Sequence, residues 1–205
     1  MNYDILISFM LATAALAISP GPDNIYVLMQ SIAHGKKYGL ATVSGLISGC
    51  IIHTTLLAFG VSAIIKNNDT LFFIIKLFGA AYLLYLAFQV FKSSGDLSIS
   101  ETQVPKKSVS QLFKQGFIMN VLNPKVSIFF LAFFPGFLFS DSLSPVWQFY
   151  ILGFLFMAVS LIIFSGIAIL AGSISVYIKG HKNIGLYLKW LQIVVFIGIA
   201  ILILL

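Results

Sequence analysis

Two short runs hold the residues best suited to chemistry. Ser19-Pro20-Gly21-Pro22-Asp23-Asn24 lies inside one apolar stretch, and Leu122-Asn123-Pro124-Lys125 lies inside another. Two prolines and a glycine within three residues cannot continue a helix, because each proline lacks an N–H and its ring clashes with the preceding turn. A proline does suit the first turn of a new helix, where the missing N–H has no partner anyway. Half-helices are therefore expected to begin near Gly21 and at Pro124, the second with Asn123 as its N-cap. Such N-termini present free N–H groups and a positive dipole end, a receptor for a carboxylate. Asp23 fits that end electrostatically, either as a cap alone or as a direct ligand for substrate or proton. Lys125 stands in a first turn, where the dipole disfavours a cation, so it calls for an anion: Asp23 or a bound carboxylate. Snorkelling to an interface is the other reading of Lys125.

These residues need elements that hold them, and composition says which kind. The 205 residues are 60% hydrophobic and only 9% charged, far below the roughly one quarter of a soluble domain. The chain reads as an all-α integral membrane protein. Six apolar segments approach or exceed the ~20 residues of a spanning helix: Ile5–Ala33, Leu40–Ile65, Leu71–Phe91, Leu112–Ser140, Pro145–Ala171 and Ile184–Leu205. Met1 to Ile18 carries no Lys, and Asp4 stands where a signal peptide would be basic, so the first segment is read as a retained span. The first and fourth segments are long, and each is broken at its proline motif. At bilayer depth, broken backbone and charge are tolerated only where they line a cavity or a site.

Lysine placement gives the topology. Of twelve Lys, with no Arg, Lys36, Lys37, Lys92, Lys106, Lys107, Lys179 and Lys182 lie in the first, third and fifth connections. The positive-inside rule places those connections in the cytoplasm and both termini outside. The net charge of +6 is then a property of the membrane's inner face rather than a sign of nucleic-acid binding. The Ser- and Lys-rich stretch 92–111 reads as a cytoplasmic linker within one membrane domain, 1–205. It joins a first three-helix repeat, 1–91, to a second, 112–205. Three helices per half force the halves into opposite orientations, a 3+3 inverted repeat, and paired interruptions in such repeats point to a transporter's site. Aligning Pro20 with Pro124 also aligns Gly49 with Gly153.

The remaining candidates are fewer. Gly45, Gly49 and His53 share a face of the second segment; the glycines read as helix packing, and His53 as either a neutral hydrogen-bonded residue or a proton carrier. Gly79 is likewise assigned to packing. Lys76 is read as snorkelling, and Pro135-Gly136 as ending or bending the fourth helix. Asn120 can supply hydrogen bonds to a ligand or serve as helix–helix glue. Cys50, the only cysteine, excludes an intrachain disulfide and a thiolate metal cluster, and is read as a small apolar residue. Without Arg, an anion must be held by backbone amides, Lys or neutral groups. No phosphate loop, zinc-protease motif, nucleophile elbow or dinucleotide fingerprint occurs, and no cofactor or metal is expected.

Taken together, Ser-Pro-Gly-Pro-Asp at Ser19–Asp23, the spaced glycines through His53, Lys76-x-x-Gly79-Ala-Ala-Tyr82, and Gly116-Phe117 before Asn123-Pro124-Lys125 resemble the LysE/RhtB amino-acid exporters. Phe129-Phe130 and Phe133-Phe134-Pro135 extend the likeness, which covers both halves of the chain. The resemblance implies a secondary exporter of amino acids or close derivatives in a bacterial inner membrane, driven by the proton gradient. It carries functional weight onto Pro20, Gly21, Pro22, Asp23, Asn123, Pro124 and Lys125. The expected site binds a zwitterion: Lys125 and the positive helix ends take the carboxylate, while Asp23, Asn24 and nearby carbonyls take the ammonium. Asp23 or His53 would then couple export to proton entry. The readings set against this are a divalent-cation exporter, for which Asp23, His53 and one Cys make a poor ligand set, and an intramembrane enzyme. The partners expected are therefore an amino acid, protons and lipid, with oligomeric state unread.

Overall fold

The computed structural model describes residues 2–62, 69–93, 104–181 and 183–204, and every element among them is helical. In chain order these are α1 (Tyr3–Ile18), α2 (Pro22–His34), α3 (Lys36–Leu56), α4 (Asp69–Lys92), α5 (Val109–Val121), α6 (Pro124–Phe133), α7 (Pro145–Ile169), α8 (Ala171–Gly180) and α9 (Ile184–Leu204). A π-helical turn, Leu57–Val61, extends α3, and a 3-10 turn, Phe134–Phe137, extends α6. Residues 63–68, which hold the end of the second apolar segment and the start of the second connection, residues 94–103 in the middle of the linker, and Met1, Lys182 and Leu205 fall outside the described residues.

The spans follow the composition. Four continuous helices are long and apolar enough to cross a bilayer: 36–61, 70–92, 145–169 and 184–204. Two bent pairs complete six spans, α1 with α2 at 59° and α5 with α6 at 50°. Both bends fall at the proline motifs. Pro22 and Pro124 each occupy the opening turn of the second half-helix. The fifth span ends at Ile169, and a separate short helix, α8, follows after Leu170 and fills the stretch between the fifth apolar segment and the polar residues from Lys179.

Glycines set how closely the spans approach. A β-carbon on Gly45 would meet the Phe113 carbonyl, and one on Gly116 would meet the Thr42 carbonyl, so α3 and α5 touch backbone to backbone. Gly49 faces the Asn120 side chain, Gly79 faces Ala132 of α6, and Gly153 of α7 faces Thr54 of α3. Gly35 joins α2 to α3 at φ 95°, a conformation that disfavours any β-carbon.

Beyond the breaks, α1 and α6 run to one end of the bundle. Phe9, Phe129, Phe130, Phe133 and Phe134 are buried there, with Phe130 stacked on Phe134 at 4.1 Å and Phe129 on Phe133 at 4.4 Å. The Asn2 N–H donates to the Phe139 carbonyl at 2.9 Å and ties the chain start to that end. Gln148, 2% exposed, closes the neighbouring turn: its Oε1 accepts from the N–H groups of Phe139 and Ser140, and its Nε2 donates to the carbonyls of Ser140 and Leu143.

Candidate functional site

The two breaks meet. Asn123, one hundred residues after Asp23, donates from Nδ2 to Asp23 Oδ2 at 3.0 Å. The same side chain caps α6, its Oδ1 accepting from the Lys125 N–H at 3.0 Å. One amide therefore fixes the start of α6 and the position of the acid on α2. Asp23 itself is buried, in the first turn of α2, where its charge complements the dipole. No side chain caps Gly21, so the N-terminus of α2 keeps its receptor character. Asn24 turns back along the first span and donates to the Ala17 carbonyl at 2.7 Å.

Lys125 answers the electrostatic puzzle of its position in an unexpected way. Its Nζ sits over the Phe196 ring of α9, 4.9 Å from the centroid, and faces Gly21 at the uncapped end of α2. Cation–π attraction in a desolvated site is worth about 2 kcal/mol, which partly offsets the wrong helix end. Asp23 and Lys125 are near enough to attract each other, yet among the described residues no salt bridge joins them. The acid and the cation thus stand on one cavity with their mutual bond unmade.

That cavity has about 40 Å³ open to water-sized groups. Gly21, Pro22, Asp23, Asn24, Asn120, Asn123 and Lys125 line it, together with Leu16, Ala17, Ile47, Cys50, Val126, Phe156, Ser160 and Phe164. The opposed charges lie within otherwise apolar and amide walls. Asn120 Oδ1, which packs against Gly49, and Ser160 Oγ are buried without a hydrogen-bond partner.

Pro20 and Pro124 shape the breaks but do not line the cavity. His53 lies behind it: Nε2 is 3.1 Å from the Asn120 carbonyl, and its ring packs on Phe130 at 5.4 Å. Since a carbonyl only accepts, Nε2 carries the proton in this bond. Gly45, Gly49, Gly79 and Gly153 all sit at helix contacts. Reading the sequence missed Cys50, Phe156, Ser160 and Phe164 as wall residues. For the last three a signal existed, since with Gly153 they recur at helical spacing on one face of α7.

The sequence model of the LysE type translocator family matches residues 14–205. The chain belongs to that family. Among the translocator's relatives, the homoserine/homoserine lactone efflux protein of Salmonella typhimurium is 32% identical over 183 residues, 89% of this chain and 88% of its own. The leucine efflux protein of Klebsiella pneumoniae is 26% identical over 200 residues, 98% of this chain and 93% of its own. An uncharacterized membrane protein of Vibrio cholerae is 27% identical over 180 residues, 87% and 86% of the two chains. No solved structure matches the chain. Among the described residues no group of three His, Cys, Asp or Glu side chains is placed to hold a metal.

Proposed function

We propose that this translocator exports amino acids or close derivatives by alternating access, in antiport with protons. The observation that carries this reading is a cavity lined by both an acid and a cation that form no salt bridge with each other. A zwitterion supplies an oppositely charged partner for each. Its carboxylate fits between Lys125 Nζ and the uncapped N-terminus of α2. Its ammonium fits Asp23, with Ser160 Oγ on the same cavity as a further acceptor. The relatives named for homoserine, its lactone and leucine make small neutral amino acids the first cargo to test.

Protonation of Asp23 weakens its hold on the ammonium, so a proton entering as the cargo leaves gives the exchange its direction. His53 is the alternative carrier: it reaches the site through the Asn120 backbone. The two three-helix halves, 1–91 and 112–205, joined through 92–111, act as an inverted repeat in this scheme. Support comes from the cross-packing: α3 lies on α5 and α7 lies on α1, so each half's second span holds the opening piece of the other half's broken span. In this scheme one half rocks against the other and opens the cavity to cargo on alternate sides. The setting is the bacterial inner membrane with both termini outside, from the lysine distribution.

The test is efflux of labelled homoserine and leucine from loaded vesicles under an imposed pH gradient. Gradient-dependent efflux above protein-free vesicles is expected. Transport that ignores the gradient removes the proton from the scheme, and no transport of either cargo removes the substrate class.

A further inference from the structure

The two sides of the cavity are built differently. Towards the end holding Asn2 and Phe139, phenylalanines of α1 and α6 fill the interior, with Phe9 edge-on to Phe134 at 4.9 Å, and the Thr13 hydroxyl of α1 is an isolated buried polar group without a partner. Towards the opposite end, α2 carries a polar stripe. Tyr26, Gln30 and His34 follow Asp23 by three, seven and eleven residues, which places all four on one face over about 16 Å. Gln30 is 1% exposed, and its Oε1 has no hydrogen-bond partner. The Tyr26 hydroxyl is also buried and unpartnered. His34, half-buried at the foot of the stripe, places Nε2 3.0 Å from the Val104 carbonyl, where the chain enters α5.

Unpaired polar groups are costly in a membrane protein's interior, where bulk water cannot reach them. Two of them, one and two turns below the site acid and on its own face, have a common explanation in a polar passage. We infer that Tyr26 and Gln30 line the hydrophilic route by which cargo travels between Asp23 and the end of α2 at His34, and that the phenylalanine side is the closed gate. Only the identity of the traveller rests on the export reading above. The carboxamide and the phenol can trade hydrogen bonds with both ends of a zwitterion as it passes.

The test uses the full-length protein in membrane vesicles with Cys50→Ala, which removes the only native thiol. Gln30→Cys, Tyr26→Cys and Leu28→Cys are each exposed, from the Lys36 side, to a water-soluble, membrane-impermeant methanethiosulfonate. Leu28 is buried too but faces away from the stripe, so it controls for general helix access. We expect positions 26 and 30 to label at least tenfold faster than position 28. Equal rates at all three, or labelling at 28 alone, overturn the passage. If Gln30→Cys does not insert, Tyr26→Cys against Leu28→Cys decides by the same criterion. Efflux from the unsubstituted protein is measured in parallel. Labelling at 26 and 30 in a protein that exports neither homoserine nor leucine keeps the passage and overturns only the substrate class.

Discussion

Asn123 does two jobs with one side chain, and substitution can separate them. Its Oδ1 caps α6 while its Nδ2 reaches Asp23. Asn123→Ser keeps a capping oxygen, which Ala does not, but is too short to span the gap to the acid. Asn123→Ala is expected to lower stability by about 1 kcal/mol relative to Asn123→Ser in a thermal melt of the purified protein. Both variants should lose transport alike, by about tenfold or more, because each drops a hydrogen bond to a charged group worth about 1.5–3 kcal/mol. Transport near the parent level in Asn123→Ser would show that the bond to Asp23 is incidental. At this scale much was legible. Proline chemistry marks both breaks, with Gly21 adding to the first, and Asp23 and Lys125 stand out because charge is rare in so apolar a chain. What the sequence could not convey was the pairing: Asn123, not Lys125, holds the acid, and Lys125 lies on Phe196, which is separated from it by seventy-one residues and looks like any other apolar residue of the last span.

Among the elements, the contact between α3 and α5 is the tightest constraint, with Gly45 and Gly116 each against the other helix's backbone. Backbone cannot swing aside as a side chain can. Gly45→Ala and Gly116→Ala are therefore expected to destabilise by about 1–3 kcal/mol. Gly166→Ala, which meets nothing within 4 Å, should melt at or above the parent temperature. Thermal melts in one detergent compare the three, and an unchanged Gly45→Ala would contradict the close approach. Gln148→Leu tests the other fixed point. It leaves two N–H groups and two carbonyls of the 139–143 turn without their partner, for an expected loss of ~3 kcal/mol or more. The glycine spacing on α3 was readable as a packing face, but its partner was not, because any of the other spans could have supplied the groove. The α8 helix escaped notice for a related reason: its helicity follows from tertiary packing against α2 and α7 rather than from an apolar run.

For the molecule as a whole, six spans and two paired breaks follow from apolar length and proline position, so the six-span architecture was legible, α8 apart. The path through it was not. A polar stripe on α2 and a phenylalanine-filled end become visible only when burial is known, since Gln30 and Tyr26 look in sequence like ordinary polar residues of an amphipathic helix. Orientation is tested by fusing a periplasm-dependent phosphatase to the C-terminus: activity is expected, and a silent fusion with a fluorescent cytoplasmic counterpart would invert the topology. The central claim is that one zwitterion bridges Asp23 and Lys125. The most direct measurement is gradient-driven efflux of labelled homoserine and leucine from reconstituted vesicles bearing the parent protein, Asp23→Asn or Lys125→Ala. The account predicts robust efflux from the parent and a loss of about tenfold or more in each variant, as expected when a charged group loses its partner. Undiminished efflux in both variants would contradict it.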